Sequence, residues 1–321
     1  SLRFYGGGGH RDGVIRMIIK IQPTGDRDQD QLNTAQAIID AMPMYKYILL
    51  YASTGSGKTR IAQLIQQLSG LKMTALVNTI ANQDNYRSEG FNLIKGGKNY
   101  PCELLGDKAD DCPYQSRTEC SVSHICELEK AANAFKWGMK GVANYAYLFT
   151  RHFTVPEPRG NEATRTEVLF LDEAHTLIPS LTDETEVSLT FAELKQLDVL
   201  YRQLQKEDDQ GYKLLVKVIA QQLPVLSREL EIMRNLRRGE AKKPSRQERE
   251  LSGFVSRLTK LKNQEPPVHI EWNKEGVKTK SFLPLPLERA LREYDNVPVI
   301  LATGTFGAYD KFTKLLGIDN Y

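Results

Sequence analysis

The sequence has few cysteines and no long apolar runs. Only four cysteines occur in 321 residues, and all of them lie between Cys102 and Cys126. Such clustering favours a metal site in a reducing compartment over a disulfide framework. The longest apolar runs, such as 47–51 and 168–171, fall far short of the roughly 20 residues that span a bilayer. Since no signal-peptide pattern opens the chain either, we expect no membrane association and a cytoplasmic protein, or one of the nucleoid or nucleus.

An excess of charge of either sign is also missing. The 43 lysines and arginines against 40 acidic residues give a net charge of +3, and hydrophobic residues make up 40% of the chain. This composition excludes a disordered chain, and the net charge by itself identifies no partner. The length corresponds to about two domains, which excludes a single small module. No internal repeat is evident, so solenoids and propellers are excluded too.

The order of apolar segments predicts an α/β protein. Residues 1–30 are rich in glycine and then in charge, which predicts a flexible N-terminal arm around one short apolar run; a glycine-histidine stretch at 6–10 resembles a phosphoesterase loop, but a flexible loop is favoured. A helix is predicted over 31–42 and a buried strand over 45–51. A second helix follows through residues 61–68 and ends at Gly70.

Further strands are predicted on both sides of a large insertion. The segments 73–78, 141–148, 167–172 and 297–302 are apolar on both faces, as buried strands of a parallel sheet are. Between the last two, residues 178–286 change character, with long amphipathic helices predicted over 189–206, 212–237 and 244–262. A hairpin is predicted from 268–272 and 277–283. The insertion therefore predicts a separate, mostly helical lobe.

A phosphate-binding loop connects the first buried strand to the second helix. Residues 52–59 read Ala-Ser-Thr-Gly-Ser-Gly-Lys-Thr and match the P-loop pattern, with alanine at its first glycine. The glycines let backbone N–H groups face an anion, and the helix N-terminus adds its positive dipole end. Lys58 is expected to reach the terminal phosphates and Thr59 to hold Mg²⁺. The expected nucleotide contacts are Ser53, Thr54, Gly55, Ser56, Gly57, Lys58 and Thr59.

An acidic pair at a strand end supplies the second half of this site. The apolar run 168–171 is followed by Asp172, Glu173, Ala174 and His175. Asp172 would lie beside the Mg²⁺, and Glu173 would polarise the water that attacks the terminal phosphate. Either motif alone has an ordinary structural explanation, a glycine turn or a helix N-cap. Together they specify nucleotide hydrolysis much more closely.

The four cysteines are candidate metal ligands. Cys102, Cys112, Cys120 and Cys126 are separated by nine, seven and five residues. Zinc modules usually contain a more closely spaced pair, so a zinc site, with His124 as a substitute ligand, is less favoured. Widely spaced thiolates suit an iron–sulfur cluster. Four unrelated buried cysteines are the remaining alternative.

The series of motifs resembles the XPD/DinG family of superfamily 2 DNA helicases. The segments that carry the resemblance are, in order, 52–59, 79–83, 95–102, the remaining cysteines, 142–148, the DEAH box at 172–175 and 301–305. The resemblance covers about residue 30 to the C-terminus. It implies a RecA-like P-loop motor domain over 31–177 and 287–321, an Fe–S insertion over 97–140 and a helical arch over 178–286. A second motor domain would then be missing from this chain.

The resemblance also implies an activity and roles for single residues. The activity is ATP-driven 5′→3′ translocation on single-stranded DNA, with ATP, Mg²⁺ and a [4Fe–4S] cluster as cofactors. His175 would couple the ATP state to the DNA side, as would the motif at Thr303, Gly304 and Thr305, where many relatives have serine at the first position. Thr79 and Gln83 would lie near the DNA backbone. Gln36 is a candidate for adenine recognition, or else an ordinary solvated helix residue.

A second motor domain or a partner protein would have to supply an arginine finger, and without it hydrolysis should be poor. The alternative function is a non-motor, ATP-sensing nucleic-acid-binding module that needs a partner. An unrelated ATPase, such as a transporter or kinase subunit, fits the cysteine insertion and the 301–305 motif less well.

A basic segment in the insertion is a candidate DNA contact. Residues 234–262 carry ten basic residues against three acidic ones, an excess of seven in a nearly neutral chain. Such a patch can follow a phosphate backbone, although a charged helix is as often only a solvated face. Tyr100, Tyr114 and Trp137, near the cysteines, could stack on bases or simply pack.

Overall fold

The computed structural model describes residues 3–6, 16–21, 24–53, 55–104, 106–109, 120–146, 166–183, 185–197, 209–240, 245–264, 268–272, 274–281, 287, 291, 297–305, 309–316 and 318. The chain divides into two compact units. The first comprises 1–96, 127–180 and 286–321, and the second comprises 97–126 and 181–285. Both units are therefore assembled from segments that are distant in sequence.

The strands are β1 (Arg3–Gly6), β2 (Arg16–Lys20), β3 (Tyr47–Tyr51), β4 (Met73–Val77), β5 (Asn92–Leu93), β6 (Pro101–Cys102), β7 (Asp107–Lys108), β8 (Lys140–Asn144), β9 (Val168–Asp172), β10 (Val187–Thr190), β11 (Val268–Trp272), β12 (Gly276–Ser281) and β13 (Val299–Thr303). The α-helices are α1 (Arg27–Ala41), α2 (Lys58–Ser69), α3 (Ile80–Ser88), α4 (Glu127–Trp137), α5 (Leu177–Asp183), α6 (Phe191–Gln196), α7 (Asp209–Glu240), α8 (Arg246–Lys262) and α9 (Tyr309–Leu315). Short 3₁₀ turns occupy 97–99 and 174–176.

The first unit is built on an eight-stranded sheet in the order β1-β2-β3-β13-β9-β4-β8-β5. Strand β1 is antiparallel to β2, and every other pair of neighbouring strands in this order is parallel. Strands β4, β9 and β13 are buried at every position, because their side chains are apolar on both faces and need cover on both. The predicted α/β class with a RecA-like parallel sheet is confirmed.

The sheet places both predicted motifs at one edge. Strand β13 lies between β3 and β9 and pairs with each in parallel, so Thr303 is opposite Tyr51 and Ala302 is opposite Asp172. Since the carboxyl ends of parallel strands share an edge, the loops after β3 and β9 emerge beside each other. Ligands of open α/β sheets bind at this edge.

The N-terminal residues differ from the flexible arm that their glycine content predicts. Strand β2 pairs with β3, and α1 begins at Arg27, where the Asp26 side chain accepts a hydrogen bond from the Gln29 amide. The short apolar run supplies Met17 and Ile19, both buried, so this strand has a face for the core. The glycine-histidine stretch at 7–10 lies outside the described residues.

Two further expectations about single elements are wrong. Strand β8 ends at Asn144, and the next residue, Tyr145, starts a helical turn with its ring buried; residues 147–148 are outside the described part. The helix predicted over 189–206 begins as strand β10, and α6 starts only at Phe191. Thr190 forms a capping box with Glu193, and this local signal sets the start of α6.

The second unit combines long helices with a small sheet. Its sheet has the order β10-β12-β11 and is antiparallel throughout. Helix α8 buries Leu251, Phe254, Leu258 and Leu261, a helical spacing, within a core that also contains Leu226 and Leu230 of α7. The predicted hairpin is present as β11 and β12, and β12 also pairs with β10.

Candidate nucleotide-binding site

The phosphate loop turns between β3 and α2 with two glycines in the left-handed region. Gly55 has φ +80° and Gly57 has φ +87°, values that L residues with side chains rarely adopt. A Cβ atom on Gly57 would overlap the Gln31 Nε2 atom. Thr54 lies outside the described residues, and Ser53 is exposed. The loop therefore has the open backbone cradle that the motif predicts.

Two side chains of α1, which were not predicted from the sequence, form hydrogen bonds with backbone carbonyls of this loop. Arg27 Nη2 donates to the Gly55 carbonyl and Gln31 Nε2 donates to the Ser56 carbonyl, each at 2.8 Å. Gln31 is 4% exposed. In the sequence, the only indication that Gln31 contacts the loop was its position near the start of the helix that precedes the loop. Gln36, the predicted candidate, is exposed and donates to Asp40 Oδ1 within its own helix.

The acidic pair meets the loop lysine. Lys58 Nζ lies 2.8 Å from Glu173 Oε1, although the two residues belong to different strand–loop units of the sheet. Lys58 is 8% exposed. Glu173 has φ +53°, a left-handed conformation that is costly for a residue with a side chain and that recurs at functional sites. The structure thus brings Lys58, Asp172 and Glu173 together.

Asp172 is a buried carboxylate with fixed partners. Its Oδ1 accepts the Glu173 amide at 2.9 Å, and its Oδ2 accepts the Tyr86 hydroxyl at 3.1 Å. Burial is the main cause that raises the pKa of Asp172 to about 6, and Glu173 adds to it. Lys58 and the two hydrogen bonds act against the rise. A nearby cation would stabilise the charged form of such a buried carboxylate.

Two tyrosines lie beside the acidic pair. Tyr145 belongs to the segment 142–148 that carries the family resemblance, but no role was predicted for it, and no motif contains Tyr86. Tyr86 comes from α3 and Tyr145 from the turn after β8; both are buried. Tyr145 donates to the backbone carbonyl of Asp172 at 2.8 Å, whereas Tyr86 donates to its side chain. The pKa of each phenol is raised well above its usual value, first by burial and then by the charge of Asp172. Both hydroxyls therefore remain donors.

Thr303 connects the two motifs across the sheet. Its hydroxyl lies 2.8 Å from His175 Nδ1 and accepts the Thr305 amide at 3.2 Å, with Gly304 between them. Its backbone carbonyl accepts the Ala52 amide at the start of the phosphate loop. His175 Nδ1 is also 3.4 Å from Glu173 Oε2. Thr303 therefore contacts both the start of the phosphate loop and the acidic motif, so a movement of either one would act on Thr303 directly.

The two predicted DNA-backbone contacts occupy different environments. Thr79 caps α3, where its hydroxyl accepts the Asn82 amide. Gln83 is fully buried and donates to the Ile94 carbonyl at 3.1 Å. A side chain in that position faces the core, so the structure does not support a direct contact between Gln83 and DNA.

The oxygen atoms at this edge of the sheet fit Mg²⁺. Thr59 offers a hydroxyl and Asp172 a carboxylate, the hard ligands that Mg²⁺ prefers beside phosphate oxygens and water. Ser56 Oγ is buried and, among the described residues, has no hydrogen-bond partner. A buried hydroxyl without a partner inside the phosphate loop fits a role as hydrogen-bond donor to an anionic ligand such as a phosphate.

The cysteines do not form a metal site in the part of the chain that is described. Cys102 ends β6, Cys120 and Cys126 precede α4, and all three are free thiols. Within the described residues, no three His, Cys, Asp or Glu side chains lie together as metal ligands. Cys112 lies outside these residues. The cluster stays a prediction from the sequence.

Several members of the predicted basic segment are neutralised by ion pairs. Arg237 Nε contacts both carboxylate oxygens of the buried Glu248, and Arg246 pairs with Glu250 on the surface of α8. Arg257 pairs with Glu193. Glu248 and Glu250 are already counted within the segment, so only the pair with Glu193 lowers the local excess of positive charge below the sequence count, by one. Lys242 and Lys243 lie outside the described residues, as does Tyr114.

Comparison with solved structures shows a shared fold. A structure titled "XPD_Helicase" matches with a TM-score of 0.54 at 17% identity, covering 92% of this chain and 61% of that chain. One titled "XPD_APO" matches with a TM-score of 0.45 at 17% identity, over 89% and 56%. "Structure of S. tokodaii Xpd4" gives 0.39 at 15% identity, over 87% and 58%. The chain thus spans about three fifths of the length of these proteins.

The first of these likenesses supports, at the level of the fold, the resemblance that the motifs indicate. No protein-family model and no curated protein matches the sequence. Among the described helices, none is both long and apolar enough to cross a membrane.

Proposed function

We propose that this chain carries the nucleotide-hydrolysing half of an ATP-dependent DNA helicase. The observation that carries the proposal is the 2.8 Å contact between Lys58 Nζ and Glu173 Oε1 at the carboxyl edge of a parallel sheet. A P-loop lysine and a candidate general base face each other there, with Asp172 beside them. The shared fold with the structure titled "XPD_Helicase" supports the DNA-translocating class among P-loop ATPases.

The residues of this site divide the work of hydrolysis. Mg²⁺–ATP supplies the phosphoanhydride bond and the charge that the site must bind. The amides of 55–57 and the α2 N-terminus receive the phosphates, while Lys58 neutralises the charge that develops on them. Thr59 and Asp172 would hold the metal. Glu173, released from Lys58 when the phosphates arrive, would orient the attacking water.

The DNA-facing part of the proposal is 5′→3′ translocation on single-stranded DNA. His175 and Thr303 would transmit the nucleotide state, since their side chains are 2.8 Å apart at the ends of β9 and β13. At this edge of the sheet, Lys58 is the cation expected to face the phosphates. A second motor domain or a partner protein would supply the arginine finger. The proposal keeps the domain organisation predicted from the sequence, with a motor domain over 31–177 and 287–321, an Fe–S segment over 97–140 and an arch over 178–286.

Nucleotide binding is tested first. A fluorescent ATP analogue is titrated into the wild type, Lys58→Ala and Arg60→Ala, the last removing an exposed positive charge from the same turn of α2. Loss of a charged hydrogen bond to phosphate should weaken binding roughly 10- to 100-fold in Lys58→Ala, while Arg60→Ala binds like the wild type. Equal binding by all three proteins contradicts the proposal.

DNA coupling separates the motor from the alternative of an ATP-sensing module. The wild type, together with the second motor domain or partner protein that the proposal requires, is assayed for ATP hydrolysis with and without single-stranded DNA. The same protein is assayed for displacement of a strand from duplexes with a 5′ or a 3′ overhang. A motor shows DNA-stimulated hydrolysis and displaces strands from the 5′-overhang substrate. A sensor module binds ATP and DNA but displaces neither strand.

We also propose, from the sequence alone, that the four cysteines bind a [4Fe–4S] cluster. Iron and acid-labile sulfide are measured in protein purified without oxygen, for the wild type and for Cys112→Ser. Iron and sulfide in the wild type that are lost in the variant support the cluster. A colourless protein that contains one zinc ion per chain contradicts it.

A further inference from the structure

We propose that Tyr86 is the positioning residue of the metal site, because its hydroxyl donates to the Asp172 carboxylate and fixes one of its two oxygens. This inference rests on the proposed function, in which Thr59 and Asp172 hold Mg²⁺. Tyr86 lies in α3, outside the phosphate loop and the acidic motif, and neither pattern includes it.

The Asp172 carboxylate is held at both of its oxygens. The Tyr86 hydroxyl donates to Oδ2 at 3.1 Å, and the Glu173 amide donates to Oδ1 at 2.9 Å. Both oxygens of the carboxylate therefore have a fixed donor, and the Tyr86 hydroxyl is the one that belongs to a side chain.

A carboxylate that ligates a cation needs a fixed orientation and a lone pair that remains free for the metal. The Tyr86 proton fixes the orientation of Asp172, and each carboxylate oxygen keeps a further lone pair for the cation. Partners of this kind orient metal ligands, and their loss typically lowers metal affinity about 10- to 100-fold.

The surroundings of Tyr86 keep its hydroxyl in place. The ring is fully buried and packs edge to face on Phe91, with 5.0 Å between ring centroids. A purely apolar role would not require a hydroxyl at this place, where it must be desolvated.

The test compares Tyr86→Phe with Tyr145→Phe. Both variants remove one buried hydroxyl from a donor to Asp172, but Tyr145 donates to the backbone carbonyl and not to the carboxylate. Mn²⁺ binding to the protein–ADP complex is measured from the electron paramagnetic resonance signal of free Mn²⁺. The affinity for ADP without metal is measured in parallel, and circular dichroism checks the fold.

We expect Tyr86→Phe to bind Mn²⁺ about 10-fold or more weakly, with metal-free ADP affinity unchanged, and Tyr145→Phe to match the wild type. Unchanged Mn²⁺ affinity in Tyr86→Phe, in a wild type that binds ADP, overturns the positioning role alone. Equal losses in both variants overturn it as well. A wild type that binds no ADP overturns the proposed function and this role with it.

A second variant covers the case in which Tyr86→Phe does not fold. 4-Fluorophenylalanine at position 86 fills the space of the hydroxyl but donates no hydrogen bond. The same loss of Mn²⁺ affinity is expected, and wild-type affinity in this protein overturns the role.

Discussion

Gln31 supports the phosphate loop from the second turn of α1. Its Nε2 donates to the Ser56 carbonyl, and the same atom occupies the space that a side chain on Gly57 would need. The amide side chain thus fixes the direction of a loop peptide whose N–H groups must face the nucleotide. Its effect on binding is indirect, because it acts through the loop backbone.

We therefore predict that Gln31→Ala weakens binding of a fluorescent ATP analogue by roughly 2- to 10-fold, the value of one hydrogen bond. Gln36→Ala serves as the matched control, since Gln36 is exposed and bonds only within α1 among the described contacts. It should bind like the wild type. A weaker Gln36→Ala with an unaffected Gln31→Ala would restore the original assignment of Gln36 to the nucleotide.

Asp172 should make the stability of the metal-free protein depend on pH. Its pKa is about 6 in the folded protein, against an ordinary value of 3.8, because burial disfavours the charge. The folded state therefore holds the proton more tightly than the unfolded state in this range. Stability from this group is present at the acidic end and is lost as the pH rises through about 6.

Replacing Asp172 by Asn removes this titration. Relative to Asp172→Asn, the metal-free wild type should lose roughly 2 kcal/mol in free energy of unfolding between about pH 4 and pH 7, since each pKa unit corresponds to about 1.4 kcal/mol and part of the change lies below pH 4. Urea unfolding at several pH values gives this difference. A constant difference across the range would contradict the pKa.

At the scale of an element, α2 ends where a glycine permits it. Gly70 has φ +67° and its amide bonds to the Gln66 carbonyl, a left-handed C-cap that the sequence predicts. A Cβ at this position would meet no atom within 4 Å, so a substitution there changes backbone strain and not packing. Gly253 inside α8 is the opposite case, with ordinary space for a Cβ, 3.5 Å from the Arg257 side chain.

We predict opposite effects from the same substitution at these two glycines. Gly70→Ala should lower the free energy of unfolding by about 1 kcal/mol, because alanine resists the left-handed conformation. Gly253→Ala should raise it by up to about 1 kcal/mol, because alanine favours a helix interior. Denaturant midpoints at constant slope measure both effects. The same sign in both variants would show that helix-end geometry is not the cause.

The elements that the sequence predicts well are those whose burial is uniform. Strands β4, β9 and β13 are buried at every position, consist mostly of apolar residues and were predicted to within about two residues at each end. Strand β10 was missed because it is short, with buried and exposed positions alternating before a capped helix. The phosphate loop and the acidic pair were predicted because local patterns define them. Tyr86 and Gln31 were not, because only the tertiary fold brings them to the site.

At the scale of the molecule, β13 decides whether the halves of the nucleotide site meet. It pairs with β3 on one side and β9 on the other, and its five residues are fully buried. The sequence predicted this strand but not its place, since strand order depends on crossovers that no local pattern records. Without β13, the loops after β3 and β9 would lose the spacing that lets Lys58 reach Glu173.

We predict that Leu301→Asp prevents soluble folding, because a carboxylate at a fully buried central position is far costlier than the domain can tolerate. Leu315→Asp is the control, since Leu315 is 42% exposed. It should express as soluble protein and bind nucleotide like the wild type. The measurements are the soluble fraction and analogue binding. Soluble, nucleotide-binding Leu301→Asp would mean that β13 is not the strand that completes the sheet.

The late position of β13 in the chain has a consequence for synthesis on the ribosome. Strands β3 and β9 are both translated long before their common neighbour, so the nascent polypeptide carries two unsatisfied sheet edges while residues 181–285 of the second unit are translated. A chaperone that shields these edges, or rapid collapse of the second unit, would determine the yield of active protein more strongly than the final stability does.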